Sequence, residues 1–400
     1  MSEVNLNTFA PTSLRPQSST RETPVLPISA RVIVVGAGAF GGWSALYLQR
    51  QGYRVTLVDA WGPGNSRSSS GDETRVIRST YGDNETYFDL NVRALQLWKE
   101  HEMAFGHKVF YNSGVIWFCY NESTPLVDDS IPFARKHSHE YEYLSQSDLT
   151  RRYPLINTKD LHHAYLDPYG GYLKARESAI EVQTAFVKAG GRYIQQHAKP
   201  GSIGTSLDKV ILENGDELVG DLYLFACGPW LGTMFPEVLG TVITCTKQEV
   251  YYLGTPRHAS QNYDGLPVWV DVDGKDFYYG IPGNANRGFK IGVDIRGPAF
   301  NPTSGERMPD HETLQKARDF ISRRFPGLKN APLLESRVCP YENSPNGNFI
   351  FDLHPGAGNV MFLGGGSGHG FKHGPALGEL VAQTLHGDRK IPDLFRLADN

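Results

Sequence analysis

The fold is set by residues 31–41, which read Arg31-Val-Ile-Val-Val-Gly36-Ala-Gly38-Ala-Phe-Gly41. A short run of β-branched apolar residues is typical of a buried parallel strand. The glycines follow at GxGxxG spacing, which allows a tight turn, a close approach of the backbone to a pyrophosphate and a helix packed tightly on the strand. We therefore predict a strand, a phosphate-binding turn and a helix over residues 43–50.

A second apolar run completes this unit and ends at an acidic residue. Residues 53–58 predict a second strand, and Asp59 comes 23 residues after Gly36. This spacing is close to the roughly 20 residues that precede the ribose-binding acid of dinucleotide-binding folds. The residues of this unit that we predict to bind the nucleotide are Gly36, Gly38, Ala39, Phe40, Gly41, Asp59 and Ala60.

A glycine-rich stretch near the C-terminus bears on which nucleotide binds, because the first motif fits FAD and NAD alike. Residues 360–363 predict a strand that runs into the glycine-rich residues 364–370, and residues 375–385 predict a helix. A helix N-terminus at this junction would stabilise negative charge on the pyrimidine end of a reduced flavin. The segment favours FAD, with ordinary turn glycines as the alternative.

The order of patterns along the chain alternates between α/β and β-rich segments. We predict an α/β protein in which a Rossmann-type FAD-binding domain is interleaved with a second, β-rich (α+β) substrate domain. Residues 1–30 are rich in Ser, Thr, Pro and Asn and predict a flexible N-terminal extension. The predicted FAD-binding domain comprises residues 31–107, 172–240 and 335–400, and the predicted substrate domain comprises residues 108–171 and 241–334.

Composition excludes several classes of protein. The formal net charge is −4 and no long run carries one sign, so we expect no nucleic-acid partner. No stretch approaches the roughly 18–20 apolar residues of a membrane helix, so we expect no membrane span. Cys119, Cys227, Cys245 and Cys339 lie far apart without a CxxC pair, which predicts neither a disulfide framework nor a metal site. A reducing compartment, the cytoplasm, is the simplest location.

Four segments in order resemble the sarcosine oxidase branch of the D-amino-acid-oxidase-like flavoproteins. The similarity extends from about Arg31 to Pro392. It implies an FAD enzyme, most simply a monomer, that acts on a small amine or amino acid. The segments are Val34-Val-Gly-Ala-Gly-Ala-Phe-Gly41, Gly71-Asp-Glu-Thr-Arg-Val-Ile-Arg78 with Tyr81-Gly82, Phe289-Lys-Ile-Gly292, and Val338-Cys-Pro-Tyr341 with Phe349-Ile-Phe-Asp-Leu-His-Pro355 and Gly368-His-Gly-Phe-Lys372.

The resemblance implies a role for several cofactor-side residues. It implies that Cys339 bonds covalently to the 8α-methyl group of FAD, whereas an unassigned free cysteine is by default a buried structural residue. It also implies that Arg75 lies close to the flavin, and that Arg75 and Arg78 share one face if their segment is helical. Further predicted contacts to the cofactor are Ser70, Arg78, Cys227, Gly228, Trp230, Gly366, Gly368, His369, Gly370 and Lys372.

The substrate-side residues follow from the same resemblance. Arg78 and Lys372 are expected to hold a substrate carboxylate, to which an arginine fork and a lysine point charge are suited. Lys290 is expected over the flavin ring, where a fixed cation would stabilise developing superoxide. The other residues expected at the active site are Tyr278 and Tyr341, which would line the substrate pocket, and His369, near the flavin.

One departure from the family pattern concerns the substrate. Asp294 stands where the sarcosine oxidase pattern has a histidine, and Pro340 and Glu342 beside Cys339 also differ. An acid in the pocket would attract a substrate ammonium, or would pair with Arg296 as a structural contact. We therefore expect a substrate larger or more basic than sarcosine.

The expected reaction is the FAD-dependent oxidation of a C–N bond to an imine, with oxygen reduced to hydrogen peroxide. A dehydrogenase would pass the electrons to a quinone or a partner protein instead. A flavin-binding protein without turnover is the alternative outside enzymes. An NAD-dependent dehydrogenase is a third alternative, but it would leave the late glycine-rich segment without a role.

Overall fold

The computed structural model describes residues 21–257, 260–272, 277–283 and 285–398. The strands are β1 (Arg31–Val35), β2 (Arg54–Asp59), β3 (Thr74–Ile77), β4 (Phe110–Tyr111), β5 (Val115–Cys119), β6 (Glu142–Ser145), β7 (His163–Asp167), β8 (Gly171–Lys174), β9 (Arg192–Gln195), β10 (Ala198–Pro200), β11 (Val210–Leu212), β12 (Glu217–Leu218), β13 (Leu222–Phe225), β14 (Thr244–Leu253), β15 (Val268–Val272), β16 (Phe277–Ile281), β17 (Phe289–Val293), β18 (Leu333–Asn343), β19 (Ile350–His354) and β20 (Ala357–Gly364). The helices are α1 (Ala39–Gln51), α2 (Glu85–Phe105), α3 (Pro125–Asp128), α4 (Ile131–Lys136), α5 (Gln146–Arg152), α6 (Ala175–Lys188), α7 (Leu231–Met234), α8 (Pro236–Leu239), α9 (Ser260–Asp264), α10 (His311–Arg324) and α11 (Gly374–His386).

A six-stranded sheet forms the nucleotide-binding half, in the order β19-β20-β13-β1-β2-β9. The five strands from β20 to β9 pair in parallel, and β19 is antiparallel at one edge. Alternate residues of β1 enter two apolar cores, with Val32 and Val34 on the face that α1 and α11 cover. Parallel strands bring their carboxyl ends to one edge of the sheet, where α/β proteins bind ligands.

An eight-stranded sheet, in the order β18-β14-β17-β16-β15-β5-β7-β6, forms the second half. Its pairs are antiparallel except for β15 with β5. Helix α10 covers one face and buries Phe320 and Ile321 against Trp269 and Phe289. The predicted α/β class, with a Rossmann-type domain and a β-rich second domain, is confirmed.

The phosphate-binding turn needs its glycines for two different reasons. Gly36 has φ +109°, and a Cβ there would lie 2.3 Å from the Ala226 carbonyl oxygen. A Cβ on Gly41 would lie 1.9 Å from the Gly36 carbonyl oxygen, so Gly41 lets α1 pack onto the turn. Helix α1 begins at Ala39, four residues before the predicted start, because the turn leads directly into it.

Two predicted boundaries differ from the structure. Strand β18 pairs with β14 of the eight-stranded sheet, so the boundary predicted at residue 335 falls inside a strand of the second domain. Within the predicted extension, residues 1–20 lie outside the described residues, whereas residues 21–30 are attached to the fold. Arg21 pairs with Asp352 at 3.2 Å, and the Leu26 amide donates to the Leu385 carbonyl at 2.8 Å.

None of the helices within the described residues combines the length and the apolar composition that a membrane span needs.

Candidate active site

A cavity of about 600 Å³ lies between the two sheets. One side consists of the carboxyl ends of β1, β2 and β13 and the turn after β20, and the other of residues on β15 and β16 and at the ends of β17 and β18. The predicted site residues that line it are Gly36, Gly38, Ala39, Phe40, Asp59, Ala60, Ser70, Arg75, Arg78, Cys227, Gly228, Trp230, Asp294, Tyr341, Gly366, Gly368, His369, Gly370 and Lys372.

The phosphate-binding end of the cavity is the N-terminus of α1. Its cap residue Gly38 has no side chain to bond the helix, and the first turn contains no acidic residue. The positive end of the helix dipole therefore faces the cavity without a compensating charge from the helix's own first turn, which suits a phosphate. The Ala39 amide donates to the Ser70 Oγ at 3.1 Å, which ties the neighbouring loop to this end.

Asp59 at the end of β2 is fixed by backbone amides. Its carboxylate accepts hydrogen bonds from Ala37 at 2.8 Å, Trp61 at 2.9 Å and Gly62 at 2.7 Å. Burial raises the pKa of Asp59, and these amides oppose that shift. The carboxylate is held on the wall beside the glycine turn, where a ribose-binding acid is expected.

Aromatic side chains line the cavity beyond Asp59. The rings of Trp61 and Trp230 lie 4.8 Å apart, and His197 meets Trp61 edge-on at 4.8 Å. Trp230 is held by a hydrogen bond from its Nε1 to the Thr303 Oγ1 at 2.8 Å. Trp230 was expected here from the sequence; Trp61 and His197 were not, because they belong to no recognised motif.

Cys227 and Gly228 follow β13 and form the floor of the cavity. The Cys227 Sγ donates to the Val35 carbonyl at 3.3 Å, and burial raises the pKa of this thiol. Gly228 has φ +56°, a left-handed conformation that favours glycine. Cys227 is therefore neutral, and Gly228 leaves room for a cofactor to lie close to the backbone.

Two buried cations lie at the opposite end. The Arg78 guanidinium packs over the rings of Tyr81 at 4.8 Å and Trp117 at 5.2 Å, and its Nη1 donates to the Thr80 carbonyl. The Lys372 Nζ donates to the His369 carbonyl at 2.8 Å. Burial lowers the pKa of Lys372 well below its usual value, and the nearby Arg78 adds to the shift. A bound anion would offset both effects.

Asp294 directly follows β17 and shares this end of the cavity. Burial raises its pKa to about 6, against the opposing influence of the Tyr341 hydroxyl, which hydrogen-bonds to it, and of Arg78 and Lys372. The charge of Arg296 also opposes the shift. The site therefore combines two cations with one carboxylate.

His369 belongs to a buried aromatic cluster beside the cavity. Its ring stacks on Phe349 at 4.7 Å, and burial lowers its pKa well below the usual value. Its Nε2 lies 3.0 Å from the Gly347 carbonyl, which can only accept, so Nε2 carries the proton. Its Nδ1 is then an acceptor for the Tyr81 hydroxyl at 3.2 Å. The histidine is neutral and fixed in one tautomer.

Lys290 is not among the residues that line the cavity, and its place over the flavin ring stays a prediction. It is 1% exposed, and its Nζ donates to the Asp72 carboxylate and, at 2.9 Å, to the Thr74 carbonyl. Burial alone would raise the pKa of Asp72, but the cations Lys290 and Arg75 hold it well below its usual range. Asp72 belongs to the segment Gly71–Arg78 that resembles the family. The sequence did not predict its ion pair, because its partner Lys290 lies on the distant strand β17.

Cys339 also lies outside the cavity lining, in a small pocket next to it. Arg75, Tyr279 and Tyr341 line both spaces. The Cys339 Sγ lies 3.5 Å from the Arg75 Nη2. Burial raises the pKa of the thiol, and the Arg75 charge opposes the rise.

Two expectations about side-chain direction are wrong. Tyr278 does not line the cavity; its ring stacks on Phe320 of α10 at 4.3 Å, and Tyr279 faces the cavity instead. Successive residues of a strand point to opposite faces, and on β16 it is Tyr279 that points to the cavity while Tyr278 points to α10. The segment with Arg75 is the strand β3 and not a helix, so the helical spacing considered for Arg75 and Arg78 does not apply. Both residues nevertheless line the cavity, because Arg78 lies just beyond the end of the strand.

Comparison with known proteins gives a family. The model described as DAO, FAD dependent oxidoreductase, matches residues 31–384. A monomeric sarcosine oxidase of Bacillus sp. (strain B-0618) is 29% identical over 358 residues, covering 88% of this chain and 91% of the relative. An N-methyl-L-tryptophan oxidase of Escherichia coli O127:H6 is 29% identical over 375 residues, covering 92% of this chain and 98% of the relative.

Solved structures share the fold. A modified fructosyl peptide oxidase from Aspergillus nidulans gives a TM-score of 0.81 at 20% identity, covering 92% of this chain and 94% of that chain. The L-proline dehydrogenase from P. horikoshii gives 0.77 at 19% identity, covering 90% and 93%. These likenesses bear on the fold alone. With the family match over nearly the whole folded chain and a glycine turn, acid and cavity that suit the cofactor, this chain belongs to the FAD dependent oxidoreductase family.

Proposed function

We propose that this protein oxidises the C–N bond of a small amine or amino acid, secondary or primary, to an imine, and that molecular oxygen accepts the electrons and becomes hydrogen peroxide. The observation that carries the proposal is the group of Arg78, Lys372 and Asp294 around one end of the cavity whose other end has the dinucleotide-binding turn. The names of the relatives, a sarcosine oxidase and an N-methyl-L-tryptophan oxidase, support the same reaction class.

The charges match an amino acid. Its carboxylate would lie between Arg78, whose guanidinium offers a planar fork, and Lys372, which adds a point charge. Its amino group would lie toward Asp294, the carboxylate that departs from the family pattern. Asp294 thus favours a substrate with more positive charge or greater size than sarcosine.

The protein's part in the reaction is to bind, orient and exclude water. FAD, when bound, supplies the chemistry by accepting a hydride equivalent from the carbon next to nitrogen and passing electrons on. Arg78 and Lys372 would fix the carboxylate, so that the carbon to be oxidised is held in one place. Tyr341 would orient Asp294 through their hydrogen bond.

We further propose that FAD is bonded covalently through its 8α-methyl group to Cys339. The support is the position of the thiol beside Arg75, whose charge opposes the rise in thiol pKa that burial causes and so favours the thiolate needed for attack. The C–S bond would replace one C–H bond of the 8α-methyl group; the proton would be released, the two electrons would reduce the flavin ring, and molecular oxygen, the acceptor proposed above, would reoxidise it. Acid precipitation of the holoenzyme tests the link. Flavin that stays with the precipitate in the wild type and leaves it in Cys339→Ser supports the bond, whereas flavin released from the wild type contradicts it.

A dehydrogenase is the second candidate, and one observation favours it. The Lys290 ammonium is held by Asp72 and Thr74 rather than presented to the cavity, which leaves the oxygen-reducing role without a direct cavity contact. Peroxide formation in air at the rate of substrate consumption supports the oxidase. Substrate turnover that needs an added quinone or dye, without peroxide, favours the dehydrogenase.

The substrate proposal is tested with a matched pair of amines. Anaerobic flavin reduction is followed with N-methyl-L-tryptophan and with N-methyltryptamine, which lacks the carboxylate. For Arg78→Lys we expect the second-order rate constant of flavin reduction by the amino acid to fall roughly 10- to 100-fold, in line with the about 1.5–3 kcal/mol of a hydrogen bond to a charged group, with little change for the amine. Lys372→Met should behave similarly, and the exposed Lys188→Met serves as a control. Equal losses on both compounds would contradict carboxylate binding.

If no amine in such a panel reduces the flavin, the protein is a flavin-binding protein without this activity. A monomeric state and a cytoplasmic location are also proposed; sedimentation of the holoenzyme tests the first and fractionation of the source cells tests the second.

A further inference from the structure

Glu342 lies near the end of β18, and its side chain lines the cavity. Strand alternation points Cys339 and Tyr341 to one face and Glu342 to the other. The residue is 7% exposed. Glu342 is one of the residues beside Cys339 that differ from the family pattern, and the sequence alone assigns it no role.

Glycines form a cradle around this carboxyl group. A Cβ built on Gly364 would lie 3.3 Å from Oε2, one on Gly366 would lie 3.1 Å from Oε1, and one on Gly228 would lie 3.9 Å from Oε2. These glycines come from β20, the turn after it and the segment after β13. Side chains at these positions would crowd the carboxyl, so the cradle keeps it free at the carboxyl ends of the parallel strands.

One oxygen of the carboxyl group, the buried Oε2, lacks a hydrogen-bond partner among the described residues. The backbone amides of Gly365 and Gly366 lie near enough to lower its pKa, but burial dominates and raises the pKa to about 7. An unpartnered buried polar atom is costly unless a ligand completes it.

Among the residues that the structure describes, no cation lowers the pKa of Glu342. The charge of Glu342 acts on the thiols of Cys227, after β13, and Cys245, on β14, and burial raises the pKa of both, so they are neutral. Arg307 acts on Cys245 but not on Glu342. The other acids that line the described cavity have groups that stabilise a negative charge. Asp59 accepts hydrogen bonds from three backbone amides, and Asp294 has the cations Arg78 and Lys372 nearby.

We propose that Glu342 is a cofactor-binding residue that acts as a neutral acid, donating a hydrogen bond from its Oε2 hydroxyl to an acceptor atom of bound FAD. A neutral acid supplies a hydrogen-bond donor at this wall of the cavity, and it adds no negative charge beside a group that becomes more electron-rich on reduction. Burial without a cation keeps other carboxyl groups protonated in the same way. The inference depends on FAD binding and not on the identity of the substrate.

The direct test is infrared difference spectroscopy of the holoenzyme, reduced chemically rather than by an amine. A protonated carboxyl that donates to the flavin shows a C=O stretching band that shifts between the oxidised and reduced states. We expect this band in the wild type, its loss in Glu342→Gln and its retention in Asp294→Asn, which removes another cavity acid with a raised pKa. A band that persists in Glu342→Gln, or is absent from the wild type, overturns the proposal.

A second test uses the flavin reduction potential between about pH 6 and pH 9. Ionisation of Glu342 would place an uncompensated negative charge near the flavin and make reduction harder. The wild-type potential should therefore fall more steeply with pH than that of Glu342→Gln, which keeps a donor but cannot ionise. Identical slopes overturn the proposal. Because dithionite serves as the reductant, failure of the amine oxidase proposal would leave both readouts interpretable.

Discussion

Lys290 and Asp72 form an ion pair in which the side chains are 1% and 0% exposed, so water reaches neither charge. Asp72 also accepts from the Arg75 Nη1 at 2.6 Å and from the Tyr252 hydroxyl at 2.7 Å. The pair joins β17 of the eight-stranded sheet to the segment just before β3, which carries the cavity arginines Arg75 and Arg78. The position of both arginines therefore depends on a contact outside the cavity.

Removing the carboxylate should be costly for stability. In Asp72→Asn the Lys290 ammonium stays buried without its anion, and we expect the free energy of unfolding to fall by about 3–5 kcal/mol. Denaturation in urea measures it. The double variant Asp72→Asn/Lys290→Met should recover part of the loss, because no unpaired charge remains. Glu142→Gln, which breaks an exposed pair with Arg152, is the control and should leave the unfolding free energy unchanged within error. A similar small change in Asp72→Asn would contradict a strong buried pair.

The same lysine carries the oxygen prediction. Under the oxidase proposal, Lys290→Met should slow reoxidation of the reduced flavin roughly 100-fold, the size of effect seen when one fixed electrostatic group is lost. Stopped-flow mixing of the reduced enzyme with oxygen measures the rate, and anaerobic reduction by substrate in the same variant serves as the internal control. Reoxidation at the wild-type rate would contradict a role of Lys290 in oxygen reduction, and its only remaining role would be structural, as the ion-pair partner of Asp72.

Tyr278 and Tyr279 are a matched pair of neighbours on opposite faces of β16. Tyr279 lines the cavity, whereas Tyr278 stacks on Phe320. We expect Tyr279→Phe to change KM for the substrate without a large change in stability, and Tyr278→Phe to leave KM unchanged. Steady-state kinetics and thermal unfolding of both variants decide the matter. A KM effect confined to Tyr278→Phe would reverse this assignment.

Local patterns predicted the nucleotide half of the site well. The run of β-branched residues before Gly36 and the acid at the end of the next strand are signals read within about thirty residues, because strand, turn and helix are adjacent in the chain. The structure brings Gly38, Asp59 and the late glycine segment to one cavity wall. Neighbouring parallel strands have no other way to arrange their carboxyl ends.

The remainder depended on long-range contacts that sequence patterns do not encode. Phe277, Tyr278 and Tyr279 are all aromatic, so no alternation of polar and apolar residues revealed which faces the cavity. Asp72, the partner of Lys290, lies 218 residues away in the segment just before β3. Glu342 could be recognised in the sequence as a departure from the family pattern. The surroundings of its unpartnered Oε2 could not be predicted, because the glycines around it come from distant segments of the chain.

Asp294 should govern activity at low pH. Its pKa is raised to about 6, so below that pH the acid is protonated and cannot attract a substrate ammonium; above it the carboxylate forms and kcat/KM should rise. We expect kcat/KM of the wild type to fall roughly tenfold per pH unit on the acid side of this pKa. Asp294→Asn should lose this acid limb and have a lower plateau for charged amines.

The control for this profile is a second buried acid. Burial raises the pKa of Asp167 to about 6 as well, and Asp167 also lies near Arg78, but it accepts from the Tyr169 amide at 2.9 Å and does not line the cavity. Asp167→Asn should therefore keep the acid limb. If the limb disappears in Asp167→Asn and persists in Asp294→Asn, the titrating group is Asp167, and Asp294 has no part in recognising the amine.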